Sequence, residues 1–364
     1  SRMVMNHLLL LGFGAAAGLR APCAPRMAVG FAKPPPSASP TTDLISWGTS
    51  KGVECGGVLS VRDFDGVRGV AADEALPTGT RVLAVPQALA LQVTTEQQSP
   101  SWADKELWRS SKWYVRLAMR LLHEKSLGAS SPLRPWLDQL PASFDTPFFW
   151  NDEELAALRY PPLQESVQKQ RTEWAAVAAQ LRRTAGASTS APPSEADVYW
   201  ALSCVRSRAF SGPWARGSVK ESASQLAFAA ILAGGYVGLG LGPPDAAANG
   251  VLAVLAFLLT NDLLFARFSR ARRYVVCPVL DLCNHHSSQA GVEVSYEYFA
   301  DAFAVVLQAE VPRAAEVRIS YGPRGSDALL QSYGFVEADN PHDAFELRQD
   351  SFLVALAAAA PYPP

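Results

Sequence analysis

The chain has 364 residues, of which 49% are hydrophobic and 18% are charged, and its mean hydropathy is +0.04. This length suits one large domain or two ordinary ones, and the apolar fraction is high enough to bury a core. The formal net charge of -2 argues against a general attraction to nucleic acid, and the basic stretch 265–273 contains few aromatic residues. The cysteines are scattered and odd in number, which excludes a disulfide framework and indicates a reducing compartment. They are Cys23, Cys55, Cys204, Cys277 and Cys283.

Residues 1–42 are predicted to be a targeting leader and not part of the fold. An apolar core, "LLLLGFGAAAG", precedes a basic segment rich in small residues, and no Asp or Glu occurs before Asp43. This order is typical of a signal-peptide core followed by a transit peptide. We therefore expect a plastid (chloroplast) location; a disordered tail and a cytoplasmic location are the alternatives.

Residues 43–95 predict strands, and residues 96–200 predict a helical insert. Short β-branched runs such as "VRGVAA" and "RVLAVP" are separated by "DG" and "PTGT" turns. In the insert, Asn151 and Ser194 stand where N-caps are expected, and "LQESVQKQRTEWAAVAAQLRRT" predicts a long amphipathic helix. An earlier helix carries its apolar residues near one face. They are Leu107, Tyr114, Leu117, Leu121 and Leu122.

Strand patterns return in residues 201–345, which are interrupted by an apolar insert at 214–272. Near the end, Ser326 is predicted to cap a short helix that Gly334 stops. Because strand-rich segments flank the helical insert on both sides, they are expected to form one domain. The predicted fold class is α+β, with short sheets, a helical insert and an extra apolar helical hairpin. Residues 346–364 predict a truncated helical tail.

The insert at 214–272 predicts a two-helix membrane hairpin. Residues 222–244 lack charge and are long enough for a bilayer, which needs about 20 residues. A second apolar run occupies 246–261, both outer flanks are basic, and the loop between the runs carries only Asp245. This asymmetry predicts membrane association through 222–262. The alternative is an apolar hairpin packed against the domain or a partner, with glycines that weaken its helices.

The segment "DLCNHHS", 281–287, concentrates groups that could carry chemistry. A zinc site is disfavoured because the thiols of Cys277 and Cys283 are six residues apart and no second ligand pair exists in the sequence. A cysteine nucleophile is disfavoured because Cys283 follows an apolar run, with no helix N-terminus to lower its pKa. A polar loop that holds a polar ligand accounts for Asp281, Asn284 and His285 together, and no metal is predicted.

Five ordered motifs, over roughly residues 46–345, resemble the SET-domain methyltransferases. "CPVLDLCNHH" resembles the family's P-x-x-D-x-x-N-H segment, and "DGVRGVAADEALPTGTRVLAVP" resembles its first cofactor segment. "RPWLDQLPASFDTPFFWNDEELAAL", "VRSRAF" and "ISYGPRGSDALLQSYGFVEADNPHD" are similar to later segments. The branch is that of the Rubisco large-subunit lysine methyltransferases and the related actin-histidine methyltransferases.

The resemblance implies transfer of a methyl group from S-adenosylmethionine to a side-chain nitrogen of a protein substrate. Lysine is the expected acceptor; a histidine acceptor and a non-catalytic protein-binding module are the alternatives. The family pattern gives Tyr321 and Tyr333 catalytic roles at the acceptor. The implied cofactor-binding residues are Gly66, Val67, Arg68, Arg208, Asp281, Asn284 and His285.

The sequence departs from the family pattern at several points. Val67 replaces the first glycine of the cofactor segment, and Ser326 replaces an asparagine. The family's helical C-terminal domain is nearly absent, so the substrate is poorly supported. Without the resemblance, Tyr333 would be interpreted as a core aromatic and Arg208 as a structural ion-pair partner. His286 receives no role.

Overall fold

The computed structural model describes residues 44–57, 59–93, 99–184, 193–212, 219–268, 273–288, 290, 292–297 and 300–345. The predictions for the leader 1–42 and the tail 346–364 lie outside these residues. The helices are α1 (Leu44–Ser50), α2 (Lys105–Ser110), α3 (Trp113–Ser126), α4 (Arg134–Leu137), α5 (Asp152–Ala157), α6 (Pro161–Thr184), α7 (Glu195–Arg208), α8 (Val219–Gly238), α9 (Pro244–Phe268) and α10 (Ser326–Tyr333). The strands are β1 (Glu54–Cys55), β2 (Leu59–Phe64), β3 (Val67–Ala72), β4 (Arg81–Pro86), β5 (Leu91–Gln92), β6 (Ala209–Gly212), β7 (Arg273–Val276), β8 (Val292–Glu297) and β9 (Ala302–Leu307).

The strands form short antiparallel sheets that join the two strand-rich segments. One sheet has the order β1-β4-β9-β8, another has the order β5-β7-β6, and β2 pairs with β3. The predicted "DG" turn joins β2 to β3, with positive φ at Asp65 (53°) and Gly66 (88°). Because β4 pairs with β9 and β5 with β7, each of these two sheets contains strands from both strand-rich segments. The predicted α+β fold class is confirmed.

The helical insert packs onto these sheets as the apolar pattern predicts. All five predicted face residues of α2 and α3 are buried, and Leu117 is fully so at 0% exposure. Asn151 and Glu154 form a capping box at the start of α5, and the Ser194 hydroxyl accepts from the Asp197 amide at the start of α7. The long helix α6 buries Trp174 against the same core. Both predicted N-caps are therefore confirmed.

The segment after β9 brings distant parts of the chain together. Ala71 forms an antiparallel bridge with Glu316, and the Val317 amide donates to the Val70 carbonyl at 2.8 Å. Two residues later, Ile319 forms a parallel bridge with His285. This segment therefore lies between β3 and the 281–287 loop and fixes the distance between them.

The prediction that Ser326 caps α10 is wrong. The N-cap is Gly325, which has no side chain that could cap the helix, and Ser326 is the first helical residue. The Ser326 amide and hydroxyl donate to the Asp343 carboxylate at 2.5 and 3.1 Å. An acid from the following segment thus satisfies the free donors at this helix start. Gly334 ends the helix in the left-handed region, at φ 83°, as predicted.

The apolar insert forms the helical hairpin α8–α9. It leaves the sheet after Gly212 and returns at Arg273, and these residues are register partners in the β6–β7 pair. The hairpin can therefore be inserted without separating the two strands. Within the ranges given above, no helix combines the length and apolarity needed to cross a membrane. The predicted two-helix membrane span is therefore not supported.

Candidate active site

A strained and buried residue lies just before the 281–287 loop. Val279 is fully buried and has φ 73°, which is rare for a β-branched side chain. The 3₁₀ turn Leu280–Leu282 follows it. Strain of this kind persists where the surrounding structure holds it, and it is concentrated at functional sites. The loop is therefore a rigid platform.

The two thiols of this platform are inert. Cys277 and Cys283 are 0% and 1% exposed, and burial raises the pKa of each thiol well above its ordinary value. A thiol that stays protonated is neither a good nucleophile nor a metal ligand. Among the residues of the described ranges, no cluster of three or more His, Cys, Asp or Glu side chains could hold a metal ion.

Asn284 joins the loop to strand β3. Its side-chain amide donates to the Arg68 carbonyl at 3.1 Å and to Glu316 Oε1 at 2.6 Å. Its backbone carbonyl accepts from the Ile319 amide at 2.8 Å. This approach requires Gly69, where an added Cβ would lie 2.3 Å from Glu316 Oε1 and 2.8 Å from Asn284 Nδ2. The asparagine is therefore fixed from three directions.

His285 packs against Tyr321 and holds it in place. The Tyr321 amide donates to His285 Nδ1 at 3.0 Å, and the two rings stack with centroids 4.9 Å apart. The imidazole side chain is 0% exposed. Burial lowers the pKa of His285, and the nearby Glu337 carboxylate opposes that shift only in part. His285 is therefore a neutral ring at physiological pH.

Tyr321 and Tyr333 form an aromatic wall. Their ring centroids are 4.7 Å apart, with an angle of 24° between the planes. The Tyr321 hydroxyl donates to the Cys283 carbonyl at 3.0 Å. Burial raises the pKa of both phenols, so both stay neutral. The Arg324 guanidinium, 5.7 Å from the Tyr333 ring centroid, also donates to the Tyr321 carbonyl at 2.9 Å.

Asp281 lies behind Arg208. Its side chain is 1% exposed, and its Oδ2 lies 3.4 Å from Arg208 Nε, at the end of α7. The same oxygen accepts from Trp136 Nε1 at 3.0 Å. Burial raises the pKa of Asp281, while Arg208 and Trp136 act to lower it. Asp281 thus holds Arg208 in place. The Arg208 side chain is 18% exposed, so its guanidinium is the charged group of this pair that a ligand could contact.

The predicted residues Gly66, Val67 and Arg68 lie around the start of strand β3. Gly66 occupies the turn before β3, and Val67 opens that strand. The Arg68 side chain bonds Gln139 of the helical insert, through its side-chain and backbone oxygens. From this stretch, the Arg68 carbonyl reaches Asn284. Cofactor contacts by Gly66, Val67 and Arg68 remain predictions.

Several residues of the site are not among those predicted from the sequence. They are Gly69, Trp136, Glu316, Arg324 and Glu337. A glycine within a strand signals a close approach, so Gly69 offered a usable signal. Trp136, Glu316 and Glu337 act across long sequence separations, such as the 145 residues between Trp136 and Asp281, and a single sequence gives no sign of such pairs. Arg324 bonds Tyr321 from only three residues away, but no sequence pattern marked that contact.

The chemistry of the donor set fits an amino-acid cofactor that carries a sulfonium. Its carboxylate needs a cation, which Arg208 can supply. Its methyl group needs neutral oxygens nearby, such as the Tyr321 hydroxyl and the Cys283 carbonyl. The reactive methyl group must not meet a thiolate, and the buried Cys283 remains a thiol. The residues present therefore fit S-adenosylmethionine.

Comparison with known proteins points to the same family as the motifs. No family model matches the chain. Over 317 residues, it is 21% identical to the actin-histidine N-methyltransferase of Danio rerio, a match that covers 84% of this chain and 44% of that protein. The chain therefore spans less than half the length of this relative.

The chain shares its fold with solved structures of LSMT. The structure of Rubisco LSMT bound to AdoMet matches with a TM-score of 0.58 and 18% identity, over 83% of this chain and 57% of that one. The SET domain of LSMT bound to lysine and AdoHcy matches with a TM-score of 0.54 and 17% identity, over 81% and 56%. At this level of identity, the likeness establishes the fold.

Proposed function

We propose that this chain, which has the fold of the SET-domain methyltransferases, transfers a methyl group from S-adenosylmethionine to a side-chain nitrogen of a protein. The observation that carries the proposal is the position of Tyr321. Its ring stacks against both His285 and Tyr333, and its hydroxyl is anchored on the Cys283 carbonyl. The motifs that predicted these residues are thus consistent with one compact site.

S-adenosylmethionine would lie between Arg208 and the 281–287 loop. Solved structures of this fold are bound to AdoMet, AdoHcy or sinefungin, which supports the choice of cofactor. When bound, the cofactor supplies an electrophilic methyl group on a sulfonium. Arg208 would pair with its carboxylate, Asp281 would hold Arg208, and Asn284 would fix the loop against β3.

In the proposed reaction, the protein positions the reacting groups and excludes water from them. Methyl transfer does not require a strong acid or base from the protein. The acceptor nitrogen must arrive uncharged and in line with the methyl–sulfur bond, so that a C–N bond forms as the C–S bond breaks. The released proton passes to solvent. The neutral hydroxyl of Tyr321 orients the reacting groups without competing as a nucleophile. The aromatic wall excludes water, which favours the uncharged amine.

We propose lysine as the acceptor. The likeness to the SET domain of LSMT bound to lysine supports this choice. Histidine is the alternative, because the relative with the long sequence match is an actin-histidine methyltransferase.

Label transfer tests the proposal and separates the alternatives. Purified protein would be mixed with S-adenosylmethionine labelled in its methyl group and with a plastid extract. Acid hydrolysis of the labelled band should yield methyllysine; methylhistidine would assign the other acceptor. Binding of the cofactor without label transfer would overturn the enzymatic proposal and leave a protein-binding module.

We further propose a plastid location, which rests on the composition of residues 1–42. A fluorescent protein fused behind these residues should enter plastids; retention in the cytoplasm would contradict the proposal.

Lipid contact by the α8–α9 hairpin also stays a proposal. Phe228, Ile231, Leu239 and Phe257 are 62% or more exposed, and basic residues flank the hairpin in the sequence, with Glu221 beside Lys220. Anionic phospholipid vesicles should carry the wild-type protein to the top of a density gradient, and the double variant Leu239→Ser/Leu241→Ser should float less. Absence of the wild type from the vesicle fraction would refute lipid contact.

A further inference from the structure

Glu337 lies against the loop that holds Tyr321, although it belongs to the segment after α10. Its side chain is 12% exposed. Oε1 accepts from the Ser287 amide at 2.8 Å and lies 3.1 Å from His286 Nδ1. Oε2 is buried and lies 3.5 Å from His285 Nε2. The carboxylate therefore faces the edge of the His285 ring that points away from Tyr321.

The bond between Tyr321 and His285 fixes which ring nitrogen carries the proton. The Tyr321 amide donates to His285 Nδ1, so Nδ1 must have a free lone pair. Because His285 is neutral, its proton must then lie on Nε2. That nitrogen faces the Ser287 hydroxyl at 3.1 Å and the Glu337 carboxylate at 3.5 Å. A negative charge at this position favours the Nε2–H form.

Charge balance supports an ionised Glu337. Burial alone would raise its pKa, but hydrogen bonds from Ser287 outweigh burial and lower the pKa. The positive charge of Arg324 also disfavours a protonated His285 imidazole. The stable arrangement is an anionic Glu337 beside a neutral, Nε2-protonated His285.

We infer that Glu337 is a positioning residue for methyl transfer, which acts on Tyr321 through the tautomer of His285. This inference rests on the proposed function. With the proton on Nδ1 instead, two N–H groups would face each other at the Tyr321 amide. The backbone of Tyr321 would move, and with it the hydroxyl that is anchored on Cys283.

Glu337→Gln is a sharp test because an amide cannot satisfy both neighbours. If its oxygen accepts from the Ser287 amide, its NH₂ group faces His285 Nε2 and favours a lone pair there. The matched control is Asp339→Asn, which removes one negative charge from the same segment at an exposed position outside the site.

Nitrogen NMR of the histidine-labelled protein reads the tautomer directly, without any methyl acceptor. The wild type should show His285 as the neutral Nε2–H form between pH 6 and 8, with His286→Gln used for assignment. Glu337→Gln should shift His285 toward the Nδ1–H form. Its label-transfer rate at saturating S-adenosylmethionine should fall about 10- to 100-fold, as for other outer partners of a functional histidine. Its affinity for the cofactor should change less than about threefold, and Asp339→Asn should match the wild type.

Three outcomes would overturn the inference. One is an Nδ1–H or doubly protonated His285 in the wild type at pH 7.5, which requires no variant to fold. Another is an unchanged tautomer and rate in Glu337→Gln. The third is an equal loss of rate in Asp339→Asn, which would indicate a general effect of charge. If the wild type itself transfers no label, the proposed function fails, while the tautomer measurement still tests the link between Glu337 and His285.

Discussion

Replacing Gly69 with alanine should weaken cofactor binding by crowding Asn284. The new Cβ would lie 2.3 Å from Glu316 Oε1 and 2.8 Å from Asn284 Nδ2, so the 2.6 Å hydrogen bond between these side chains cannot persist. Glu316 has little freedom to move aside, because its side chain is 6% exposed and its other oxygen accepts from Arg318 at 2.7 Å. Asn284 must therefore move.

The size of the effect follows from the bond that is lost. A hydrogen bond to a charged group contributes about 1.5–3 kcal/mol. Because Asn284 loses its bond to Glu316, we expect the free energy of cofactor binding to weaken by about 2 kcal/mol, which corresponds to a factor of about 30 in affinity. The affinity of the purified protein for S-adenosylmethionine can be measured by titration calorimetry.

Gly57→Ala is the matched control. An added Cβ there would lie 2.6 Å from Leu76 Cδ2, so the crowding is similar, but neither Leu76 nor the adjacent Glu74 belongs to the site. Both variants should lower the melting temperature, and only Gly69→Ala should lose affinity for the cofactor. An affinity within threefold of the wild type in Gly69→Ala would refute the role given to Asn284.

Two further predictions concern the hairpin and the pH dependence of stability. Replacing residues 213–272 with a short turn should shift the melting temperature by less than about 4 °C in a circular-dichroism melt, because Gly212 and Arg273 are already strand partners; loss of cooperative unfolding would contradict it. Because the pKa of Glu337 is lowered on folding, its stabilising effect should be present above its unfolded pKa of about 4.3 and lost as the pH falls through the folded value. In urea unfolding at pH 7, the free energy of unfolding of the wild type should exceed that of Glu337→Gln by about 1–2 kcal/mol. This difference should shrink below about pH 4, and a difference that stays constant with pH would contradict the prediction.

Local patterns predicted much of the fold because local physical chemistry determines those features. The Asn151 and Ser194 caps act within three residues of their partners, and the apolar face of α3 follows directly from the helical period. The cap assigned to Ser326 failed for the opposite reason. Asp343, 17 residues away, supplies the acceptor, and helix propensities carry no information about such a partner.

The site likewise contains residues that sequence motifs indicated and residues that only the fold brings in. The motifs indicated Tyr321, Asn284 and His285, which lie on two segments joined by a single parallel bridge. The residues that hold them in place come from elsewhere: Trp136 from the helical insert, Glu316 from the joining segment and Glu337 from beyond α10. Only the folded chain brings these partners together. Asp281 was predicted from the motif, and its buried carboxylate lies against Arg208.

The most direct measurement is the rate of methyl transfer by the wild type, Tyr321→Phe and Tyr296→Phe at saturating S-adenosylmethionine. Tyr296→Phe removes a phenol hydroxyl that bonds Gln87 and Asp301, outside the site. The wild type and Tyr296→Phe should transfer label at rates within twofold of each other. Tyr321→Phe should be about 100-fold slower, with cofactor affinity unchanged, because the anchored hydroxyl is lost. Equal rates for all three proteins would contradict the assignment of this site to methyl transfer.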